Sequence, residues 1–160
     1  MMRWRYGAEN RITRIAGVKI DIGDLVFSPE APFYGYTVNH CFPVSFDDGA
    51  FHWCFGFLGV AMTAAEQGQD VQVATRGVFE FPIEGYAKLD DFVTASYNYS
   101  DGPSDAETEV TIEDQLVTVC SEEYAVGQVV KEPYYSDDRY FGKRELCVLI
   151  ELRSRLCTST

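Results

Sequence analysis

Asp70-Val-Gln-Val-Ala-Thr-Arg76 sets Val71, Val73 and Thr75 against Gln72, Ala74 and Arg76, the two-residue period of a strand with one buried face. Val78-Phe-Glu-Phe81, Glu109-Val-Thr-Ile-Glu113 and Leu116-Val-Thr-Val-Cys120 continue the pattern further along the chain. Leu146-Cys-Val-Leu-Ile-Glu-Leu152 is nearly all apolar, which predicts a strand covered on both faces. Turn signals separate these runs at short intervals: Gly23-Asp24, Asp48-Gly49, Gly68, Gly77, Gly85, Asp101-Gly102 and Gly127. Ile22–Val26, Leu89–Val93 and Val126–Val130 each read as a tight turn feeding a β-branched strand. Many short strands with closely spaced turns predict an all-β fold, a small barrel or sandwich of antiparallel strands. At most one short helix fits, at Ala61-Met-Thr-Ala-Ala-Glu-Gln67, ended by Gly68.

The clearest hairpin signal lies in Cys41–Leu58. Asp48-Gly49 suits a type I′ turn, because glycine and aspartate tolerate positive φ. That turn would place Phe46 opposite Phe51, Val44 opposite Trp53 and Phe42 opposite Phe55, giving one face an aromatic ladder. Pro43 would interrupt the ladder for want of an N–H.

The 160 residues suit one compact domain, and an apolar share of 46% excludes a chain disordered for lack of hydrophobicity. No run reaches the ~18 apolar residues of a membrane span. The start of the chain is charged and lacks the apolar stretch of a signal peptide, so folding in a reducing cytosol is expected. Five cysteines, an odd number without regular spacing, read as small buried hydrophobes rather than a disulfide framework.

Charge divides the chain. Residues 1–19 hold Arg3, Arg5, Arg11, Arg14 and Lys19 against Glu9, a net +4, while residues 20–160 carry −16. So acidic a body repels nucleic-acid phosphate and stays soluble. The expected organisation is a basic N-terminal arm over 1–19 and a single β domain over 20–160. Acidic excursions are expected near 100–114 and at Tyr134–Tyr140. An extended segment of nineteen residues could span ~60 Å; a frayed, solvated terminus is the competing reading.

Reactive constellations are sparse. Cys41, His52 and Cys54 would share one face of the hairpin, with His40 on the other; structural zinc wants four convergent ligands, and the spacing matches no standard finger. A core histidine beside buried cysteines fits better. Asp47-Asp48, Asp90-Asp91 and Asp137-Asp138 are adjacent pairs, and neighbours on a strand point to opposite faces rather than across a substrate. Asp101, Asp105, Glu107 and Glu109 do not follow EF-hand spacing. Glycine-rich phosphate loops and nucleophile elbows are missing from the sequence. No catalytic residue, metal ligand or cofactor is therefore expected.

The segment from Phe57 to Pro82 resembles the central signature of a bacteriophage capsid-cement, or head-decoration, family. Its parts are a strand of the form x-G-V-A at Gly59-Val-Ala61, small residues running from Ala64-Ala65 to Gly68, and a V-x-V-x-x-x-G-V-F run from Val71 to Phe79. Ile22–Val26, Ala125–Val130 and Leu146–Leu152 match in the same order, so the likeness covers most of residues 20–152. Met1–Tyr6, Phe33–Phe57 and Ser100–Asp114 lie outside the pattern and read as partner-specific additions.

The resemblance implies a compact β domain on the outer surface of the virion shell, commonly a homotrimer, made and assembled in the host cytoplasm. It implies the major capsid protein and further copies of the chain as partners, with no nucleic acid and no membrane. Such a role needs broad surfaces and no catalytic motif, and aromatics and arginines are usual interface anchors. On that basis Arg3, Trp4, Arg5, Tyr6, Arg11 and Arg14 are the expected capsid contacts, made by strand addition to an exposed edge. The competing functions are a carbohydrate-binding β-sandwich, using the twenty-three aromatics as stacking platforms, and a small metal-dependent enzyme built on Cys41, His52 and Cys54.

Overall fold

The computed structural model describes residues 2–6, 10–28, 37–41, 56–99, 112–137 and 144–154; for 3–6, 97–99, 112–114, 137 and 144 it describes the backbone alone. These residues form eleven strands: β1 Arg3–Tyr6, β2 Arg11–Ala16, β3 Leu25–Phe27, β4 Thr37–His40, β5 Phe57–Ala61, β6 Asp70–Ala74, β7 Val78–Pro82, β8 Phe92–Tyr99, β9 Ile112–Val119, β10 Gly127–Asp137 and β11 Arg144–Leu152. The expected all-β class is what the structure has. Strands β2-β4-β3-β5-β6 close into a barrel, and β1-β7-β11-β10-β8-β9 form a six-stranded sheet.

Period-two alternation explains how the two layers share one wall. Val71 and Val73 of β6 point into the barrel with Ala16, Val26, Val38, Leu58 and Ala61. Alternate residues of the same strands, Leu25, Phe27, Phe57 and Ala74, face the other way. They pack on Phe79, Phe81, Val93, Val117, Val148 and Ile150 of the sheet. Strand β3 is buried at all three positions because both its faces are covered. Phe57, Phe79 and Phe81 are fully buried at this shared core, and each such side chain contributes roughly 1.5–3 kcal/mol.

Gly59 sets how closely the wall can close. A β-carbon there would overlap the Ala74 carbonyl oxygen across the β5–β6 pair. The chain leaves the barrel after β6 and enters the sheet at β7, turning at Gly77, whose φ of 129° favours glycine.

Several expectations are corrected. The helix-like piece at Ala61–Gln67 is no helix: Ala61 ends β5, and Ala65 exchanges two backbone hydrogen bonds of 2.9 Å with Ile20. Two turns are too short to hold a helix unaided, and both alanines instead fill the barrel interior. The described residues hold only one short helical piece, the 3-10 turn Glu122–Tyr124.

The strands expected at 109–113 and 116–120 are a single strand from Ile112, because Asp114 and Gln115 pair in register with Asn98 and Tyr97 of β8. Of the excursion expected at Tyr134–Tyr140, Tyr134–Asp137 are instead paired with β11, and residues 138–140 lie outside the described residues. Pro133 cannot donate to the ladder, and the register shifts between Lys131 and Tyr134 rather than ending there. Not every pair is antiparallel: β2 and β4 run parallel, with Ile15 opposite Thr37.

Leu146–Leu152 behaves as expected. Strand β11 lies inside the sheet, and Cys147, Val148, Leu149 and Ile150 are all buried. Of the expected hairpin, Cys41 and Gly56–Leu58 fall within the described residues; the Asp48-Gly49 turn, the aromatic ladder and most of the 100–114 excursion lie outside them.

One polar side chain joins the layers. Gln115, buried on β9, accepts the Leu25 amide of β3 at 3.2 Å. Its own amide donates to the Ser96 and Leu116 carbonyls at 2.5 and 2.9 Å. A buried amide with partners at both ends specifies one relative placement of barrel and sheet.

Candidate functional site

The six residues expected to meet a capsid are divided between the two layers. Arg3, Trp4, Arg5 and Tyr6 form β1, the edge strand of the sheet, with Arg3 opposite Glu80, Trp4 opposite Phe79 and Tyr6 opposite Val78. Arg11 and Arg14 lie on β2 of the barrel, opposite Ala74 and Val71. Residues 1–19 thus supply a strand to each layer. Met2 is buried in the shared core, 8% exposed, against Gly23.

Alternation on β2 turns Arg11, Thr13 and Ile15 outward. Ile15, 41% exposed, is large and apolar for such a place. Gln72 of β6 donates to the Thr13 hydroxyl at 2.8 Å, tying this outward strip to the next strand. Arg14 is half-buried and donates to the Thr13 carbonyl at 3.0 Å. The strip offers one cationic, one hydroxylic and one apolar residue on a rigid strand, a surface suited to protein contact.

The ionisable groups with displaced pKa values lie elsewhere. Asp24 is raised from 3.8 to about 6, chiefly by burial; the Asp21 amide it accepts at 2.9 Å opposes the shift and the Asp21 charge adds to it. Burial lowers the pKa of His40, against the pull of Asp21. Burial likewise raises that of Cys147; the Ser136 hydrogen bond opposes this, and the charges of Glu80 and Glu145 add to it.

Cys41 is buried in the shared core, while His52 and Cys54 lie outside the described residues. Among the described residues no group of three or more His, Cys, Asp or Glu is placed to hold a metal ion. A groove of about 350 Å³ lies beside Phe92, Gln128 and Glu151. The Arg153 guanidinium sits 4.9 Å from the centre of the Phe92 ring and 3.6 Å from Glu122, so its charge is engaged within the chain.

Sequence reasoning missed the buried polar groups. Glu80 is 1% exposed on β7, and its carboxylate accepts the hydroxyl of Tyr134. A lone charge inside Val78-Phe-Glu-Phe-Pro82 was the available signal. For Gln115 and Asp24 no comparable signal exists, since glutamine and aspartate in such settings are usually solvated.

No family model matches the chain, and no curated protein matches it. Among solved structures it is similar to the crystal structure of the head fiber gp8.5 N base in bacteriophage phi29. The two share 14% identity, with a TM-score of 0.44, over 92% of this chain and 96% of that one. At that identity and score the likeness assigns no role.

Proposed function

We propose that this chain is a non-enzymatic decoration protein of a bacteriophage head, bridging major capsid subunits on the outer surface as a homotrimer. The observation that carries the reading is the ordered signature from Phe57 to Pro82. Its x-G-V-A part coincides with β5, its V-x-V part with β6 and its G-V-F part with the entry to β7. These are the elements that build the barrel wall and hand the chain to the sheet, and Gly59 is a residue for which that wall leaves no room for a side chain. A signature of this kind records a scaffold whose surfaces do the binding.

Shell contact falls to the basic first segment, Arg3, Trp4, Arg5, Tyr6, Arg11 and Arg14. Deleting residues 1–19 would remove two paired strands along with the charges, so charge reversal on the barrel is the cleaner test. Purified protein should co-sediment with undecorated phage heads. Arg11→Glu, on the outward strip, should weaken that binding at least tenfold while the protein stays folded by circular dichroism. Failure of the unmodified protein to bind heads, or unchanged binding by the variant, rejects the respective part of the proposal.

A further inference from the structure

Three side chains stand in one row across the sheet. Gln128 of β10 is opposite Phe92 of β8 on one side and Glu151 of β11 on the other. Val93, Val129 and Ile150, their neighbours along the same strands, lie in the shared core. Alternation therefore turns Phe92, Gln128 and Glu151 to the face away from the barrel. The row lines the groove of about 350 Å³, a volume within the ~300–1,000 Å³ of small-ligand sites.

The polar groups of the groove are held in place by their own contacts. The Gln128 amide nitrogen donates to the Asp90 carbonyl at 3.0 Å, which leaves the amide oxygen as an acceptor. Asp90 sits in a turn closed by the Asp91 amide on the Lys88 carbonyl at 3.1 Å. Its φ of 69° is a left-handed value uncommon outside glycine. Arg153 lies over the Phe92 ring and is paired with Glu122, so it offers planar N–H donors with its charge balanced. Glu151 is exposed and supplies carboxylate acceptors.

That set selects by chemistry. Two carboxylates against one guanidinium leave one negative charge, which repels anions. A cation would meet the guanidinium already stacked on Phe92. An apolar guest would strip water from these polar groups and return no hydrogen bonds. A neutral ligand rich in hydroxyls meets none of these penalties, because each hydroxyl both donates and accepts. The rim residues Glu122 and Glu151 are exposed, so the groove is open to a ligand that continues past it.

We propose that this groove is a saccharide site, holding one or two neutral sugar units of a longer glycan. Gln128 and Glu151 accept from the sugar hydroxyls and Arg153 donates to them, with the strands fixing their spacing. The site is additional to shell contact and does not rest on that reading.

Titration of the full chain followed by ligand-observed NMR tests the site. The probes are glucose, galactose and N-acetylglucosamine, each as the monosaccharide and as a tetrasaccharide. At least one tetrasaccharide should bind, no more weakly than its monosaccharide. Glu151→Ala should weaken that binding about tenfold and Gln128→Ala about fivefold, with the thermal melt unchanged. Tyr135→Ala, which removes an exposed aromatic elsewhere on β10, should leave it as it was. Binding of none of the probes overturns the proposal. So does tighter binding of cationic glucosamine than of N-acetylglucosamine, or of a monosaccharide than of its tetrasaccharide. Binding that survives both groove variants, or that is lost in Tyr135→Ala, also overturns it. If Gln128→Ala does not fold, Glu151→Ala decides.

Discussion

The barrel and the six-stranded sheet solve the same problem in opposite ways. The barrel uses short strands of three to six residues, fills its interior largely with valine and alanine, and leaves no edge because β2 pairs with both β4 and β6. The sheet uses strands of up to eleven residues and keeps two edges, β1 and β9. Along the sequence, residues 10–76 carry a net −3 and residues 77–160 a net −10. Closure removes the unpaired N–H and C=O groups on which another chain could build, whereas an open sheet must guard them. The sheet guards β9 with a bridge from Ile83 to Val117, and it ends at β7's outer side with β1. The barrel is the tightly fitted part; the sheet holds the adjustable margins.

The largest test of that contrast is Gly59→Ala. A single methyl group would meet the Ala74 carbonyl oxygen in backbone that cannot yield without opening the barrel. A loss of about 3 kcal/mol or more is expected by denaturant titration, at or beyond the usual upper end for core overpacking. Gly68→Ala, at a turn with open space around it, should cost far less through its positive φ of 87° alone. Equal losses would mean that the barrel wall is not tightly fitted.

Next comes Asp24, 4% exposed beside the barrel. Its folded pKa of about 6 lies above the ordinary 3.8, so folding favours the neutral form. Its contribution is fully present below 3.8 and is lost as pH rises to about 6. Two units correspond to about 3 kcal/mol as an order of magnitude. Asp24→Asn keeps an acceptor for the Asp21 amide and removes the charge. The variant should therefore be more stable than the parent at pH 7.5 and nearly equal to it at pH 4, read from urea midpoints. His40 works in the opposite direction: burial lowers its pKa from 6.5, so its contribution is lost as pH falls below 6.5. Removing the Asp24 charge should expose that loss as a steeper decline on acidification.

The smallest expected effect is at the joint between the layers. Gln115→Ala leaves the Leu25 amide without its acceptor and should cost about 1–3 kcal/mol. Hydrogen exchange should show the loss at the Leu25 amide before it reaches the interior of either layer. Uniform loosening would mean that Gln115 is ordinary core and no joint.

Legibility in the sequence followed the same division. Val71, Val73, Val78, Phe79 and Phe81 announced their strands because burial on one face imposes period two on composition. The turn glycines at 23, 68, 77 and 85 were equally plain, and all four adopt positive φ. Pairing partners were not legible, because β1 to β7 and β2 to β6 are long-range choices that leave no local pattern. Strand β9 looked broken at Asp114-Gln115, since a buried glutamine with partners from another layer resembles a turn residue in one dimension. The Ala61–Gln67 misreading has a similar origin: alanine suits a helix and also suits the cramped interior of a five-stranded barrel. For the candidate site, the basic character of residues 1–19 was visible, but their division between two layers was not.

The position of β1 in the chain has a consequence for biogenesis. Every barrel strand lies between β1 and its partner β7 in sequence. A ribosome adding ~5–20 residues per second therefore releases the first strand several seconds before anything exists for it to pair with. The barrel can close in that interval, so β1, made before the barrel strands, is seated only after them, and a holding chaperone that met the nascent chain would find this segment still unpaired.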